Sequence, residues 1–127
     1  MGHCHPKVNE ALHNQINKLW HTTNIYAYPG HVDYAKKLTD KFPGDLKVCL
    51  LVNSGSEAND LAIHLARLYT GRYDLLTLRN SYHGMSGATM GLTNLNTWKY
   101  TVPQGFGVHQ AMNAGNYKTK TILLIIL

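Results

Sequence analysis

A strand–helix–strand pattern in the middle of the chain constrains the fold more than any other feature. Residues 48–52 form an unbroken apolar run that is typical of a strand buried on both faces. After a polar break, residues 55–70 carry apolar side chains at helical spacing, and residues 75–78 are a second short apolar run. This pattern predicts a βαβ unit with a right-handed crossover, and therefore an α/β protein with a parallel sheet.

The rest of the chain adds helices but few further strands. The predicted elements are an amphipathic helix at 6–20, a loop at 21–30 that ends in a Pro29-Gly30 turn, a helical stripe over 32–42, a short helix within 85–92, an aperiodic stretch over 93–120 and one more buried strand at 121–127. Strands buried on both faces need more covering elements than these. We therefore expect an incomplete sheet with flanking helices, which hints at missing chain.

Composition excludes several classes of protein. Charged residues are 15% of the 127, so disorder through excess charge is excluded, and two cysteines exclude a scaffold held by several disulfides. The longest apolar run has six residues, at 122–127, so we predict no membrane association. The first residues predict no signal or transit segment. The net charge is +5, but the basic residues are scattered, so we expect no nucleic-acid partner.

The stretch from Asn53 to Asp60, where the first predicted strand turns into a helix, admits two interpretations. Ser54 followed by Glu57 is a capping box, which needs no ligand. The same helix start is also a good anion site, because Gly55 allows close backbone approach and Ser56 adds a hydroxyl. The spacing matches neither a Walker A loop nor a dinucleotide fingerprint, so the predicted ligand is a small phosphoester.

The second candidate element is Tyr82-His83-Gly84, which follows the next predicted strand. Ligands bind where the carboxyl ends of parallel strands meet, and a tyrosine ring there can stack on a planar cofactor. An ordinary core or surface tyrosine is the competing interpretation for Tyr82, and a purely structural role competes more strongly for His83. A metal site at 3–5 and a Ser-His-Asp hydrolase are not supported, because further ligands and triad partners are lacking.

Residues 53–59 and 81–84, preceded by residues 2–6, together resemble the class III pyridoxal-phosphate aminotransferases. Residues 19–22, 51–53 and 91–94 are similar to the mitochondrial-type branch that acts on alanine and glyoxylate. The resemblance covers about residues 2–110. It implies an α/β fold, here a partial large domain of the pyridoxal-phosphate-dependent transferases (aminotransferase fold type I), with residues 1–46 as an N-terminal helical segment, 47–110 as the start of the cofactor-binding large domain and 111–127 as a divergent tail.

The resemblance also implies the cofactor and the residues that bind it. Pyridoxal 5′-phosphate is the expected cofactor, with Gly55 and Ser56 at its phosphate, Tyr82 stacked on its ring and His83 and Gly84 in support. The family's catalytic lysine, and the aspartate that faces the ring nitrogen, lie further along than these motifs. No lysine of this chain matches, so we assign no catalytic residue and no metal ligand, and we expect the isolated chain to be inactive.

The implied reaction is transfer of an amino group from an amino acid such as alanine to an oxo acid such as glyoxylate. The implied partners are these small molecules and, in full-length family members, further copies of the subunit. A mitochondrial location is expected from the resemblance alone. Two alternatives stay open: another class III aminotransferase or phospholyase, and a non-enzymatic truncated product that binds the full-length subunit.

Overall fold

Four α-helices and two short strands make up the described part of the chain, residues 2–100 and 106–113 of a computed structural model. In chain order they are α1 (Pro6–Ile16), α2 (Pro29–Thr39), α3 (Gly55–Thr70), β1 (Leu75–Leu78), α4 (Thr89–Leu92) and β2 (Val108–Ala111), with a single 3-10 turn at Asn96–Trp98 between α4 and β2. The chain divides into two compact units, residues 1–50 and 51–127. The strand predicted at 121–127 lies outside the described residues.

The first unit contains α1 and α2, and both helices begin with a proline. Pro6 and Pro29 occupy the first turn, where the missing N–H costs nothing because that group has no helical partner. The helix predicted over 6–20 ends earlier, at Ile16, and Pro29, predicted as part of a turn, begins α2 instead. The Gln15 amide Nε2 donates to the Tyr28 hydroxyl at 2.5 Å, which links the end of α1 to the residue before α2.

Helix α3 begins and ends where the sequence predicts. The Glu57 N–H donates to Ser54 Oγ at 3.2 Å, as the predicted capping box requires, but the bond to Glu57 Oε2 at 2.8 Å comes from the Asn53 N–H, one residue before the N-cap. At the other end Gly71 has φ +65°, a left-handed conformation that glycine adopts readily, and its N–H donates to the Arg67 carbonyl. The helix start is therefore fixed by its own side chains.

Replacing Ser54 by alanine tests this cap. The change removes the acceptor of the Glu57 N–H, so we expect the free energy of unfolding to fall by about 1 kcal/mol. Urea unfolding followed by circular dichroism measures the loss. Ser54→Asp keeps an acceptor at the same position and is the matched control. An equal loss in both variants would show that the cap contributes nothing.

The sheet differs from the predicted βαβ unit. β1 pairs in parallel with β2, with Leu75 opposite Val108 and Leu78 opposite Ala111. The prediction of a strand at 48–52 was wrong, since this segment has no strand conformation and Val48 is 81% exposed. An extended apolar run becomes a strand only where a neighbouring strand satisfies its backbone groups, and the described residues provide none beside it. β2 lies instead within residues 93–120, where the sequence shows no clear periodicity of apolar residues.

The buried centre of the second unit is mainly polar. Ile63 and Leu92 are the buried apolar side chains among the described residues, whereas Thr77, Thr89, Thr93 and Asn94 are buried polar ones. Thr77 Oγ1 donates to the Leu92 carbonyl at 2.8 Å, and Thr93 Oγ1 donates to the Gly84 carbonyl at 3.1 Å. Buried hydroxyls are stable when they are paired in this way. These bonds fix the loop between β1 and α4.

Candidate functional site

Helix α3 is joined at its amino end to residues 81–86, which we call the Tyr82 loop. Ser56 Oγ accepts a hydrogen bond from the Met85 N–H at 3.2 Å. One turn further along α3, the Asn59 amide Nδ2 donates to the His83 carbonyl at 2.7 Å. The Ser86 hydroxyl donates to Asp60 Oδ1 at 2.6 Å. The two motifs singled out in the sequence are therefore held together by three side-chain contacts.

Gly55 and Ser56 are the first two residues of α3, at its amino end. Among the described residues, neither backbone N–H has a hydrogen-bond partner, as is usual in the first turn of a helix. A Cβ added to Gly55 would meet nothing within 4 Å, so the space above it is open. The partial positive charge of the helix end favours an anion there. The position and the open space fit a phosphate group.

Tyr82 supplies an aromatic ring that is half exposed. Its ring centroid lies 5.8 Å from that of Trp98, with an interplanar angle of 68°, an edge-to-face contact. The side chain of Tyr82 is 52% exposed, so the Trp98 contact leaves ring surface available to a planar ligand. A pyridine ring is of the right shape to stack on such a surface.

Gly84 allows the close contact between the Tyr82 loop and α3. Its φ is +121°, which side-chain-bearing residues rarely adopt, and an added Cβ would lie 2.4 Å from Ser56 Oγ. Thr89 Oγ1 would be 3.0 Å away on another side. Glycine is therefore required here by both conformation and space.

His83 faces the polar centre. Its ring Nε2 lies 3.2 Å from Thr77 Oγ1, and its backbone N–H donates to Thr93 Oγ1 at 3.1 Å. Its carbonyl accepts from Asn59. All of these contacts are to the scaffold, so the structure places His83 where it supports the loop.

No individual role was predicted from the sequence for Asn59, Asp60 and Ser86, which join the two motifs, or for Thr89 and Trp98, which contact the Tyr82 loop. One signal was available, because Asn59 and Asp60 follow Ser56 by three and four positions and so share its helix face. No local pattern indicates that Trp98 reaches Tyr82, since the contact depends on the course of the intervening chain.

A separate polar cavity of about 460 Å³ lies where β1 and β2 end. It is lined by Arg79, Asn80, Asn94, Asn96, Lys99, Gln110, Ala111 and Met112, and includes none of the predicted site residues. Residues 2–100 and 106–113 contain no group of three potential metal ligands. Cys4 and Cys49 are free thiols. Within the same ranges, no helix is long and apolar enough to span a bilayer.

A sequence model of the family "aminotransferase class-III" matches residues 1–120. The chain is 48% identical over 117 residues to alanine–glyoxylate aminotransferase 2 homolog 2, mitochondrial, of Arabidopsis thaliana, with 92% of this chain and 24% of that protein aligned. It is 46% identical over 112 residues to mitochondrial alanine–glyoxylate aminotransferase 2 of Homo sapiens, with 88% and 22% aligned. The chain thus spans about a quarter of the length of these curated relatives.

Solved structures agree on the fold. An amine transaminase from an uncultivated Pseudomonas species, in its PLP-bound form, matches with a TM-score of 0.80 and 27% identity over 94% of this chain and 29% of that one. A phospholyase from Arthrobacter in complex with phosphoethanolamine matches with a TM-score of 0.77 and 33% identity over 87% and 26%. The expectation of a partial fold of the pyridoxal-phosphate-dependent transferases, with an incomplete sheet and flanking helices, is confirmed.

Proposed function

The chain belongs to the class III aminotransferases, and from that premise we propose that the start of α3 and the Tyr82 loop bind pyridoxal 5′-phosphate in an enzyme that moves an amino group from an amino acid to an oxo acid. The contact between Ser56 Oγ and the Met85 N–H carries this proposal, because it joins the start of α3, where we propose that the phosphate binds, to the loop that bears Tyr82.

Each residue has a separate task in this proposal. The N–H groups of Gly55 and Ser56 bind the phosphate, and the helix dipole favours its negative charge. The hydroxyl of Ser56 accepts from Met85, so its own proton is available to a phosphate oxygen. The ring of Tyr82 orients the pyridine, Trp98 holds that ring and His83 supports the loop. When bound, the cofactor supplies the electron sink for amino-group transfer.

Alanine and glyoxylate are the substrates that we propose, because the relatives at 46–48% identity carry those names. Their names also support a mitochondrial location. Self-association of the subunit belongs to the same proposal, and sedimentation of the purified protein tests it. We assign no lysine to catalysis, because no lysine of this chain matches the motif of the family's catalytic lysine. We therefore propose that the chain binds the cofactor without turning over substrate.

A phospholyase activity is the second candidate, because the structure with phosphoethanolamine is 33% identical to this chain. The two activities release different products. Transamination converts glyoxylate to glycine, whereas a phospholyase releases inorganic phosphate from phosphoethanolamine. Assays for both products on one enzyme preparation, in which subunits containing this sequence are loaded with cofactor, separate the candidates.

Replacing Tyr82 by alanine tests the cofactor site. Pyridoxine 5′-phosphate is the suitable probe, because it lacks the aldehyde and cannot bond covalently to the chain's lysines. Loss of a stacking contact of roughly 1 kcal/mol should weaken binding about fivefold in isothermal titration calorimetry. Tyr69→Ala, at a tyrosine that is 93% exposed, is the matched control and should bind like the unchanged chain. Equal affinity of the two variants would contradict the proposed ring contact.

A further inference from the structure

Asp60 lies at the end of a series of hydrogen-bonded hydroxyl groups, in which every hydroxyl donates toward Asp60. A carboxylate only accepts hydrogen bonds, so the Ser86 hydroxyl donates to Asp60 Oδ1 across 2.6 Å. Ser86 Oγ and Thr89 Oγ1 are 2.7 Å apart. Because the Ser86 proton is directed at Asp60, the Thr89 hydroxyl donates to Ser86. Asp60 accepts the Ser86 proton and thereby fixes the direction of both hydroxyl groups.

The backbone completes this network. The Ser86 N–H donates to Thr89 Oγ1 at 2.9 Å, and the Thr89 N–H donates to Ser86 Oγ at 3.2 Å. Thr89 is fully buried, so its polar atoms have no access to solvent. A buried hydroxyl that loses its partner is costly, and the network therefore tolerates few other arrangements.

The network is continuous with the proposed cofactor site. Ser86 follows Met85, whose N–H donates to Ser56 Oγ. Thr89 Oγ1 lies 3.0 Å from the place where a Cβ on Gly84 would be. A displacement of Ser86 would therefore move Gly84 and the start of the Tyr82 loop, and would disturb the Ser56 contact.

We propose that Asp60 is a positioning residue for cofactor binding: its carboxylate holds Ser86, and through it the Tyr82 loop, at a fixed place relative to the phosphate-binding end of α3. This inference rests on the proposed function. Asp60 is the sixth residue of α3, beyond the first turn, where the helix dipole has little effect on a carboxylate. Its effect on binding is thus expected to come from Ser86 rather than from the helix end.

Three variants of the chain test the proposal, with pyridoxine 5′-phosphate as the probe. Asp60→Ala removes the acceptor, so the dissociation constant should rise about tenfold. Ser86→Ala removes the donor and should cause a similar rise. Asp60→Asn keeps an acceptor oxygen for the Ser86 hydroxyl and should restore binding to within about threefold of the unchanged chain. Asp33→Ala, at an exposed aspartate of α2, is the charge-matched control and should leave the constant unchanged.

Trp98 gives a second readout that needs no ligand. In a Trp20→Phe background Trp98 is the remaining tryptophan, and it contacts the Tyr82 ring. Asp60→Ala should shift its emission and near-ultraviolet circular dichroism, whereas Asp60→Asn should not, at a temperature where far-ultraviolet circular dichroism shows every variant folded. Unchanged Trp98 signals in Asp60→Ala would overturn the positioning role. So would an Asp60→Asn variant that binds pyridoxine 5′-phosphate as weakly as Asp60→Ala does. Failure of the unchanged chain to bind pyridoxine 5′-phosphate would overturn the proposed function instead. The Trp98 signals would then still show whether Asp60 positions the Tyr82 loop.

Discussion

Gly84→Ala is expected to lower the free energy of unfolding by about 2–4 kcal/mol, through an unfavourable backbone conformation and overpacking against Ser56. The φ of +121° strains any residue with a side chain, and the new Cβ would lie 2.4 Å from Ser56 Oγ. Relief of this clash moves either α3 or the Tyr82 loop, so the affinity for pyridoxine 5′-phosphate should fall as well. Urea unfolding and calorimetric titration measure the two effects.

Gly87→Ala is the matched control for this change. Gly87 lies three residues away, and a Cβ added there would meet nothing within 4 Å. Its φ is not in the left-handed region, so we expect a change in stability within about 0.5 kcal/mol of zero, as at ordinary exposed positions. If the two glycine variants were equally stable, the close approach of Gly84 to Ser56 would not exist in solution.

Gly55→Asp should change stability and binding in opposite directions. A carboxylate in the first turn of α3 interacts favourably with the helix dipole, and loss of glycine reduces the entropy of the unfolded chain, so stability should rise by about 0.5–1.5 kcal/mol. The same carboxylate repels a phosphate at the Gly55 and Ser56 N–H groups. The affinity for pyridoxine 5′-phosphate should therefore fall by at least about tenfold.

Gly55→Asn separates charge from size in this experiment. Asparagine has nearly the shape of aspartate, and the open space beside Gly55 accommodates either side chain. The asparagine variant should bind at least about tenfold more tightly than the aspartate variant at low salt, and the difference should shrink as salt screens the exposed charges. Identical affinities for the two variants would show that the phosphate does not bind at the start of α3.

Local rules predicted the helical half of the fold. A capping serine and a terminal glycine act over four residues or fewer, so the bounds of α3 could be predicted from neighbouring residues alone, whereas Pro29 was predicted as part of a turn and begins α2. The strand at 48–52 was predicted from its apolar composition, and composition does not determine which strands pair. β2 was missed because its central residues, His109 and Gln110, are polar and exposed.

For the candidate site, the sequence predicted the individual motifs but not the contacts between them. Gly55 and Tyr82 were singled out because each follows a predicted strand, and the structure joins their segments through Ser56 and Met85. The division of the chain into segments 1–46, 47–110 and 111–127 stays a prediction, and the family match extends into the last of them, to residue 120. Contacts such as Asp60 with Ser86 span 26 positions of the chain, so they depend on tertiary structure that no local pattern specifies.

The rigidity of the site follows from its polar surroundings. Thr77, Thr93 and Asn94 are buried, and each hydrogen-bonds to the Tyr82 loop between residues 81 and 84. Directional bonds to buried groups allow fewer arrangements than apolar contacts of equal area. The loop is thus held by these residues as well as by α3 before any ligand binds, which reduces the ordering that binding requires.

Nuclear magnetic resonance of the ¹⁵N-labelled chain during titration with pyridoxine 5′-phosphate tests the proposed cofactor site most directly. We predict saturable shifts that are largest at the Gly55 and Ser56 amides, where the phosphate would bind, together with shifts of the Tyr82 ring protons in a matching aromatic spectrum. Shifts that centre on Asn96 and Lys99, in the polar cavity at the ends of β1 and β2, with Gly55 and Ser56 unchanged, would contradict the proposal.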